Sequence, residues 1–301
     1  MCIRDRYGRL PGADPSYLSS RAIERGIPQL GTLGSGNHFL EIQRVDEIYD
    51  REVAQSFGIH GRGQILVMIH CGSRGLGHQV ASDHIRAMEN HYGFKHLPDR
   101  QLINAPVRSK LGQQYYKCMS SAVNFAFANR QMIAHRVRQV FHRVLGRAQG
   151  MDQVYDVCHN VAKFERHRIQ GHMKEVCIHR KGATRSFGPG RAEIPEAYRS
   201  VGQPVFIPGS MGTASYVLVG TAEAEDLSFS STAHGAGRVM SRHEARKRFR
   251  GESVKRDLEG RGIALKSASW KGVAEEASEV YKDVDEVVRV SHETGIGRLV
   301  A

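Results

Sequence analysis

Short apolar runs in this chain repeatedly end in turns where histidine stands beside glycine, and that pairing limits the fold more than any other feature. It occurs in GSGNHFLE (34–41), HCGSRGLGH (70–78) and SSTAHGAGR (230–238). A further small-residue turn, PGSMGTAS (208–215), lies between two apolar runs. Gly is 32 of 301 residues, about half again the usual ~7%. Glycine permits backbone angles closed to other residues and lets the chain approach a ligand closely. Such a chain builds short strands whose turns gather at one place, not a regular sheet.

The remaining pattern agrees. Residues 27–45 read as a loop followed by a strand ending near Val45, and QILVMIH (64–70) reads as a buried strand. A glycine-rich turn spans 71–79, and a helix is predicted around 79–90. The tightest helical periodicity runs over 119–145, through Met119, Val123, Ala126, Ile133, Val137, Val140 and Val144, with Gly146 as a stop. VYDVCHNVA (154–162) and VCIH (176–179) look like strands, and 204–212 with 215–221 look like strand, turn, strand. Helices are predicted over 241–250 and 271–280. Strands and helices alternate too irregularly for a βαβ series. The expectation is α+β: a single mixed domain with strand-end loops converging on one site. There is no internal repeat.

Lys plus Arg is 43 against 31 Asp plus Glu, a formal charge of +12, which suits a polyanionic partner. Residues 163–191 and 238–256 each hold eight basic against two acidic residues, and both adjoin histidine motifs. They read as phosphate-binding walls, or else as plain solvated faces. An apolar content of 40% excludes a disordered chain. No run reaches the ~18 apolar residues of a membrane helix, and MCIRDRYGRL lacks the apolar core of a signal peptide. Five cysteines, an odd number without a CxxC pair, argue against a disulfide framework and for a reducing, cytoplasmic setting. MCIRDR looks foreign to the rest of the chain, and the last segment, VDEVVRVSHETGIGRLVA, has no terminal element. The chain is expected to be a piece of something longer.

Each motif carries two readings. His38 opens a strand, with Asn37 and Glu41 placed to orient it, or it is a surface histidine on a tight turn. His70 closes a buried strand, where ligands and catalytic groups often sit. Ser73, Arg74 and the following glycine amides can receive an anion, but the Lys-Ser/Thr step of a P-loop is missing. Cys71 reads as packing. His159 also ends a strand-like run, where a satisfied core histidine is the simpler reading. His234 sits among small residues, open to a bulky ligand. Three strand-end histidines make a metal set of undetermined identity, and a fourth beside basic residues can act as a nucleophile toward phosphorus.

GTLGSGNHFLE, MIHCGSRGLGHQ, DVCHNVAKFE, HRKGATR, IPGSMGTASYVLVG and SFSSTAHGAGR, in that order, resemble the RtcB family of RNA ligases over about residues 27–300. The resemblance implies a GTP- and Mn²⁺-dependent ligase of tRNA splicing and RNA repair. Such an enzyme joins RNA ends bearing a 2′,3′-cyclic phosphate or 3′-phosphate to 5′-hydroxyl ends through a covalent histidine–GMP. It also implies a catalytic domain over 27–301, preceded by a 1–26 remnant.

Carried over by motif, the nucleophile is His234 and the metal ligands are His38, His70 and His159. The nucleotide site takes Asn37, Asn160, Pro208, Gly209, Ser210, Met211, Ser215, Ala236, Gly237, Arg238 and Tyr281. Arg242 is a further phosphate contact, and His179, Arg180, Lys181 and Arg185 are candidates for an RNA groove. Two family features do not occur in these residues: an upstream Asp-x-Gly-Cys-Gly motif that supplies metal ligands, and a tail lysine that contacts guanine. The expected partners are RNA, GTP and, as in some members, an archease-like activator; the expected state is a monomer with no membrane association. The alternatives are a metal-dependent phosphoesterase or nuclease, and an inactive RNA-binding fragment.

Overall fold

Antiparallel pairing of short strands, not one continuous sheet, organises the computed structural model, which describes residues 8–95, 97–146 and 150–301. Cys2 and the MCIRDR segment lie outside those residues. The chain runs through α1 (Ser20–Gly26), β1 (Phe39–Arg44), α2 (Arg51–Ser56), β2 (Ile65–His70), α3 (Arg74–Tyr92) and α4 (Lys110–Leu145). It continues through β3 (Val161–Ile169), β4 (His172–Arg180), β5 (Ala183–Arg185), β6 (Pro204–Ile207), β7 (Tyr216–Val219), α5 (Glu223–Ser228) and β8 (Ser231–Ala233). Next come α6 (Arg242–Arg248), α7 (Gly251–Gly260), α8 (Trp270–Glu275), α9 (Val284–Glu293) and β9 (Arg298–Leu299). Helices and strands mix within one domain, the α+β class that the pattern predicts. No helix among the described residues is long and apolar enough to cross a membrane.

Three strand pairs set the site. β1 pairs with β2 so that Phe39 lies opposite His70. β3 pairs with β4, Val161 opposite Arg180, and β5 with β8, Ala183 opposite Ala233. Each register brings one histidine turn to the end of a ladder. β6, β7 and β9 form the remaining sheet, whose inner residues Val205, Ile207 and Leu218 are fully buried and pack on Val284 and Val288 of α9.

Several elements depart from the sequence reading. α3 begins at Arg74, inside the expected turn. The glycines there let helices touch instead of breaking one: a Cβ on Gly75 would meet the Arg25 carbonyl oxygen at 3.1 Å, where α1 packs on α3. α4 starts nine residues earlier than its apolar pattern, because the Ser109 hydroxyl caps it by accepting from the Gly112 amide at 3.1 Å. The 154–162 run is not a strand. Asp156 makes only a single bridge, and Arg130 of α4 holds its carboxylate at 2.6 Å, so β3 begins only at Val161. α7 has no counterpart in the sequence reading because only Val254 and Leu258 mark its apolar face. The final segment does carry terminal elements, α9 and β9, and β9 pairs with β7.

The basic stretch 163–191 is the largest correction. Lys163, Arg180 and Arg185 are buried, not spread over an open basic wall. Arg180 forks onto Glu165 with two bonds of 2.8 Å, and Glu165 also meets His167 Nε2 at 3.1 Å. The other nitrogen of His167, Nδ1, meets Glu225 at 2.9 Å, and Arg191 closes on Glu225 at 2.9 Å. Arg185 donates to Gln203 at 2.8 Å and lies over the Phe187 ring. Burial alone pushes the Glu165 carboxyl up, but the bonds from His167 and Arg180 reverse this and hold it well below the usual carboxylate range.

Candidate functional site

The ends of the three ladders open into one groove of about 3560 Å³. His38 immediately precedes β1 and His70 ends β2, so the β1–β2 register sets their ring centroids 6.2 Å apart. His159 stands two residues before β3, outside the strand position the sequence suggested. His234 follows β8. The Nε2 atoms of His70 and His159 are 3.0 Å apart, and the His159 ring stacks on His234 with centroids at 4.3 Å and planes 25° apart. His70 and His234 are separated by 6.4 Å. Four histidines from four distant motifs thus share one cleft.

Their support comes from α4. Buried Asn129 accepts from the amides of Gly31 and Thr32 at 2.6 and 3.1 Å. It donates to Cys71 Sγ and the Gly72 carbonyl, each at 3.1 Å. The next residue, Arg130, donates to the Cys71 carbonyl at 3.0 Å while holding Asp156. One helix therefore fixes the loop before His38, the turn after His70 and the segment before His159. The sequence carries no sign of this, since both side chains look like ordinary polar helix positions. Cys71 is buried with Ile133 and Val137 and its thiol donates to the Leu33 carbonyl at 2.9 Å, which is the packing role its position suggests.

His38 is oriented by the Leu33 carbonyl, which meets its Nδ1 at 3.0 Å, and not by Asn37 or Glu41. Glu41 instead accepts from Gln43 at 2.8 Å. The loop needs glycine at 34: its φ is +102°, and a Cβ would fall 2.0 Å from the Arg74 guanidinium. Arg74 turns back here, donating to the Thr32 hydroxyl at 3.2 Å.

The ring nitrogens are poorly supplied with partners. His159 Nδ1 and His234 Nδ1 are buried without a hydrogen bond. Burial pushes the His38 basicity down, with the Arg74 and Arg242 charges assisting. Burial, then the charges of His38 and His234, push His70 down to about 4. His159 is lowered further by burial and by His234 and His70. All three shifts favour the neutral ring, the form that offers a lone pair.

The His70 and His159 Nε2 atoms, 3.0 Å apart, either share a proton or turn together toward one ion. His38 also fits a ligand pattern, because an Nδ1–H held by a carbonyl leaves Nε2 as the free donor. Among the described residues, however, no three His, Cys, Asp or Glu side chains are arranged to enclose an ion. The chain supplies an ion-ready pair, with His38 beside it.

The 208–215 turn lies across from His234, with a Cβ on Gly235 3.5 Å from the Pro208 carbonyl. Ser215 locks this turn by accepting from the Gly209 amide at 3.2 Å, and Ser278 donates to the Met211 carbonyl at 2.5 Å. The Ser210 amide meets the Thr213 hydroxyl at 2.8 Å. Asn160 accepts weakly from the Gly182 amide at 3.4 Å. Asn37, Asn160, Ala236, Gly237 and Tyr281 all line the groove.

Arg238 and Tyr281 face each other across a single bridge, and Arg238 is spent on Glu276 at 3.2 Å and on the Glu275 carbonyl at 2.8 Å. Tyr281 donates to Glu276, and burial with that carboxylate pushes its hydroxyl up to about 12. Arg242 reaches Glu275 and Glu276 at 3.5 and 3.4 Å. Sequence reasoning missed these two glutamates, which restrain the arginines it assigned to phosphate. His179 and Lys181 are exposed on the groove wall; Arg180 also reaches that wall but is buried and held by Glu165, and Arg185 is buried away from it.

A family model described as tRNA-splicing ligase RtcB matches residues 3–301. The chain is 55% identical over 303 residues to a tRNA-splicing ligase RtcB of Archaeoglobus fulgidus, covering 99% of this chain and 62% of that protein. It is 54% identical over 300 residues to that of Pyrococcus horikoshii, covering 98% of this chain and 34% of the relative. The Thermococcus kodakarensis protein of the same name is also 54% identical, with 98% and 62% covered. The chain thus spans between about a third and three-fifths of the length of these curated relatives.

Proposed function

Since the chain belongs to the RtcB family, we propose that it carries the guanylylation centre of a GTP- and Mn²⁺-dependent RNA ligase. The enzyme joins 2′,3′-cyclic phosphate or 3′-phosphate ends to 5′-hydroxyl ends, as in tRNA splicing and RNA repair. What supports the reading best is the stack of His234 on His159, with His234 facing the groove from among small residues. His234 attacks the α-phosphorus of GTP: a nitrogen–phosphorus bond forms, the bond to the bridging oxygen breaks, and pyrophosphate leaves. The GMP then passes to the RNA 3′-phosphate, and the 5′-hydroxyl oxygen displaces it.

His70 and His159 would hold Mn²⁺, with His38 as a further ligand, and the metal would neutralise charge on the phosphates. The turn at Pro208, Gly209, Ser210 and Met211, with Asn160 and Tyr281, would seat the guanylate. His179 and Lys181 would meet the RNA backbone. The reading places the work in the cytoplasm, on a monomer, with an archease-like activator as part of the proposal.

The test is incubation with α-labelled GTP and Mn²⁺, followed by a denaturing gel. The parent chain should retain label and His234→Ala should lose it. A parent that stays unlabelled, alone and when joined to an Asp-x-Gly-Cys-Gly segment, overturns the reading. Hydrolysis of RNA without label would favour a phosphoesterase, which needs only the His70–His159 pair.

A further inference from the structure

The chain has one tryptophan, and it is left half in water. Trp270 opens α8 with 50% of its surface exposed. It lines a cavity of about 420 Å³ together with Lys255, Leu265, Lys266, Ser267 and Val273. The Lys255 ammonium lies 5.9 Å from the ring centroid, the outer limit of a cation–π contact at about 6 Å, so it does not close the ring face. Lys255 also pairs with Glu259 at 3.4 Å. Lys266 and Lys271 make no ion pair among the described residues. Over 246–271 the chain holds nine Lys and Arg against three Asp and Glu.

This cavity adjoins the histidine groove. Leu265, Lys266, Ser267, Ala268 and Val273 line both. The loop that carries the first four, 261–269, is anchored at its start, where the Arg261 guanidinium donates to the Gly212 carbonyl in the 208–215 turn. A connected wall therefore runs from His234, past that turn and along the loop, to Trp270. An exposed aromatic ring with Lys266 and the Lys255–Glu259 pair beside it, next to the histidine groove, suits a flat anionic ligand. An apolar protein surface would find Leu265, Ala268 and Val273 beside the ring, with two lysines among them.

We propose that Trp270 is a stacking platform for a nucleotide of single-stranded RNA, away from the reacting end. One base lies on the indole, and Lys255 and Lys266 face the adjoining phosphates. Stacking on an aromatic face tolerates any base, so the subsite adds grip without sequence choice. The inference rests on the RNA-ligase reading and adds to it where the strand runs.

The lone indole makes the test specific, because all tryptophan emission comes from this cavity. A 5′-hydroxyl uridine decamer is titrated into the full chain while emission and, separately, anisotropy of a labelled decamer are followed. Emission should be quenched with the same midpoint as the anisotropy. Trp270→Ala should weaken binding about tenfold, and Trp270→Phe should retain most of it. Lys266→Ala should lower the slope of log affinity against log salt by about one.

Decamer bound without quenching, and equally well by Trp270→Ala, overturns the subsite and leaves the RNA reading standing. No decamer bound overturns both. Quenching by GTP alone at the same midpoint assigns the ring to the mononucleotide and overturns the proposal. Labelling with GTP needs no RNA, so it reports on the ligase reading independently.

Discussion

His167 and the histidines of the groove use the same ring in opposite ways. His167 is fully buried, and both of its nitrogens meet carboxylate oxygens, from Glu165 and Glu225. The ring is therefore held from both sides inside a network of ion pairs running from Arg180 to Arg191. In the groove, His70 and His159 point nitrogens at each other, and His159 and His234 each keep an unpartnered Nδ1. Among the described residues no carboxylate pairs with these rings, and burial favours the neutral form of His38, His70 and His159. Residue type is shared, though the groove rings are only partly buried. The partners differ, and partners decide whether a histidine braces the fold or stays free for a ligand.

Breaking the buried network should have the largest effect. Glu165→Leu leaves the buried Arg180 charge without its carboxylate and His167 Nε2 without its partner, which should cost about 3–5 kcal/mol in urea unfolding. A loss under about 1 kcal/mol would mean that the network does not brace the fold. Acid offers a gentler route to the same point. The folded Glu165 carboxyl lies below its unfolded value of about 4.3. Its contribution is therefore present above that pH and is lost as the pH falls below it. Thermal melts of the parent should drop below about pH 4.3, and Glu165→Gln should show a shallower drop across the same window. Equal slopes would contradict the assignment.

Two changes probe the other side. His159→Asn should weaken Mn²⁺ binding at least about tenfold by calorimetry, an effect of about 1.4 kcal/mol. Joining the chain to an Asp-x-Gly-Cys-Gly segment should strengthen the binding, and equal affinity with and without that segment would remove it from the proposal. The smallest effect is on stability. His70→Asn should shift unfolding by less than about 0.5 kcal/mol, because it removes a ring that braces nothing. A loss as large as that of Glu165→Leu would erase the contrast between the two regions.

Glycine beside histidine made part of this legible. His38, His70 and His234 stand next to or near glycines, and those three motifs do meet. His167, flanked by Arg166 and Arg168, carries no such sign. His159 does not end a strand because the Arg130–Asp156 pair that pulls its segment from the ladder spans 26 residues. Lys163, Arg180 and Arg185 read as a basic wall because the sequence shows charge without its partners. Glu165 reaches Arg180 only through the β3–β4 register. The same holds at Arg238, whose restraint by Glu275 and Glu276 comes from 37 and 38 residues away. Local pattern located the turns, whereas long-range pairing decided which charges remain available.

Asn129 has a consequence for motion. One amide group ties the 31–32 loop and the Cys71–Gly72 turn to the same point on a 36-residue helix. Any thermal displacement of that point is passed to both, so the His38 and His70 backbones drift in step. The 208–215 turn has no bond to Asn129 and is tied instead to Ser278. Fluctuations of the groove therefore leave the spacing between His38 and His70 nearly constant and vary the gap between them and that turn. The groove can widen or narrow across from the histidines while their own spacing stays fixed.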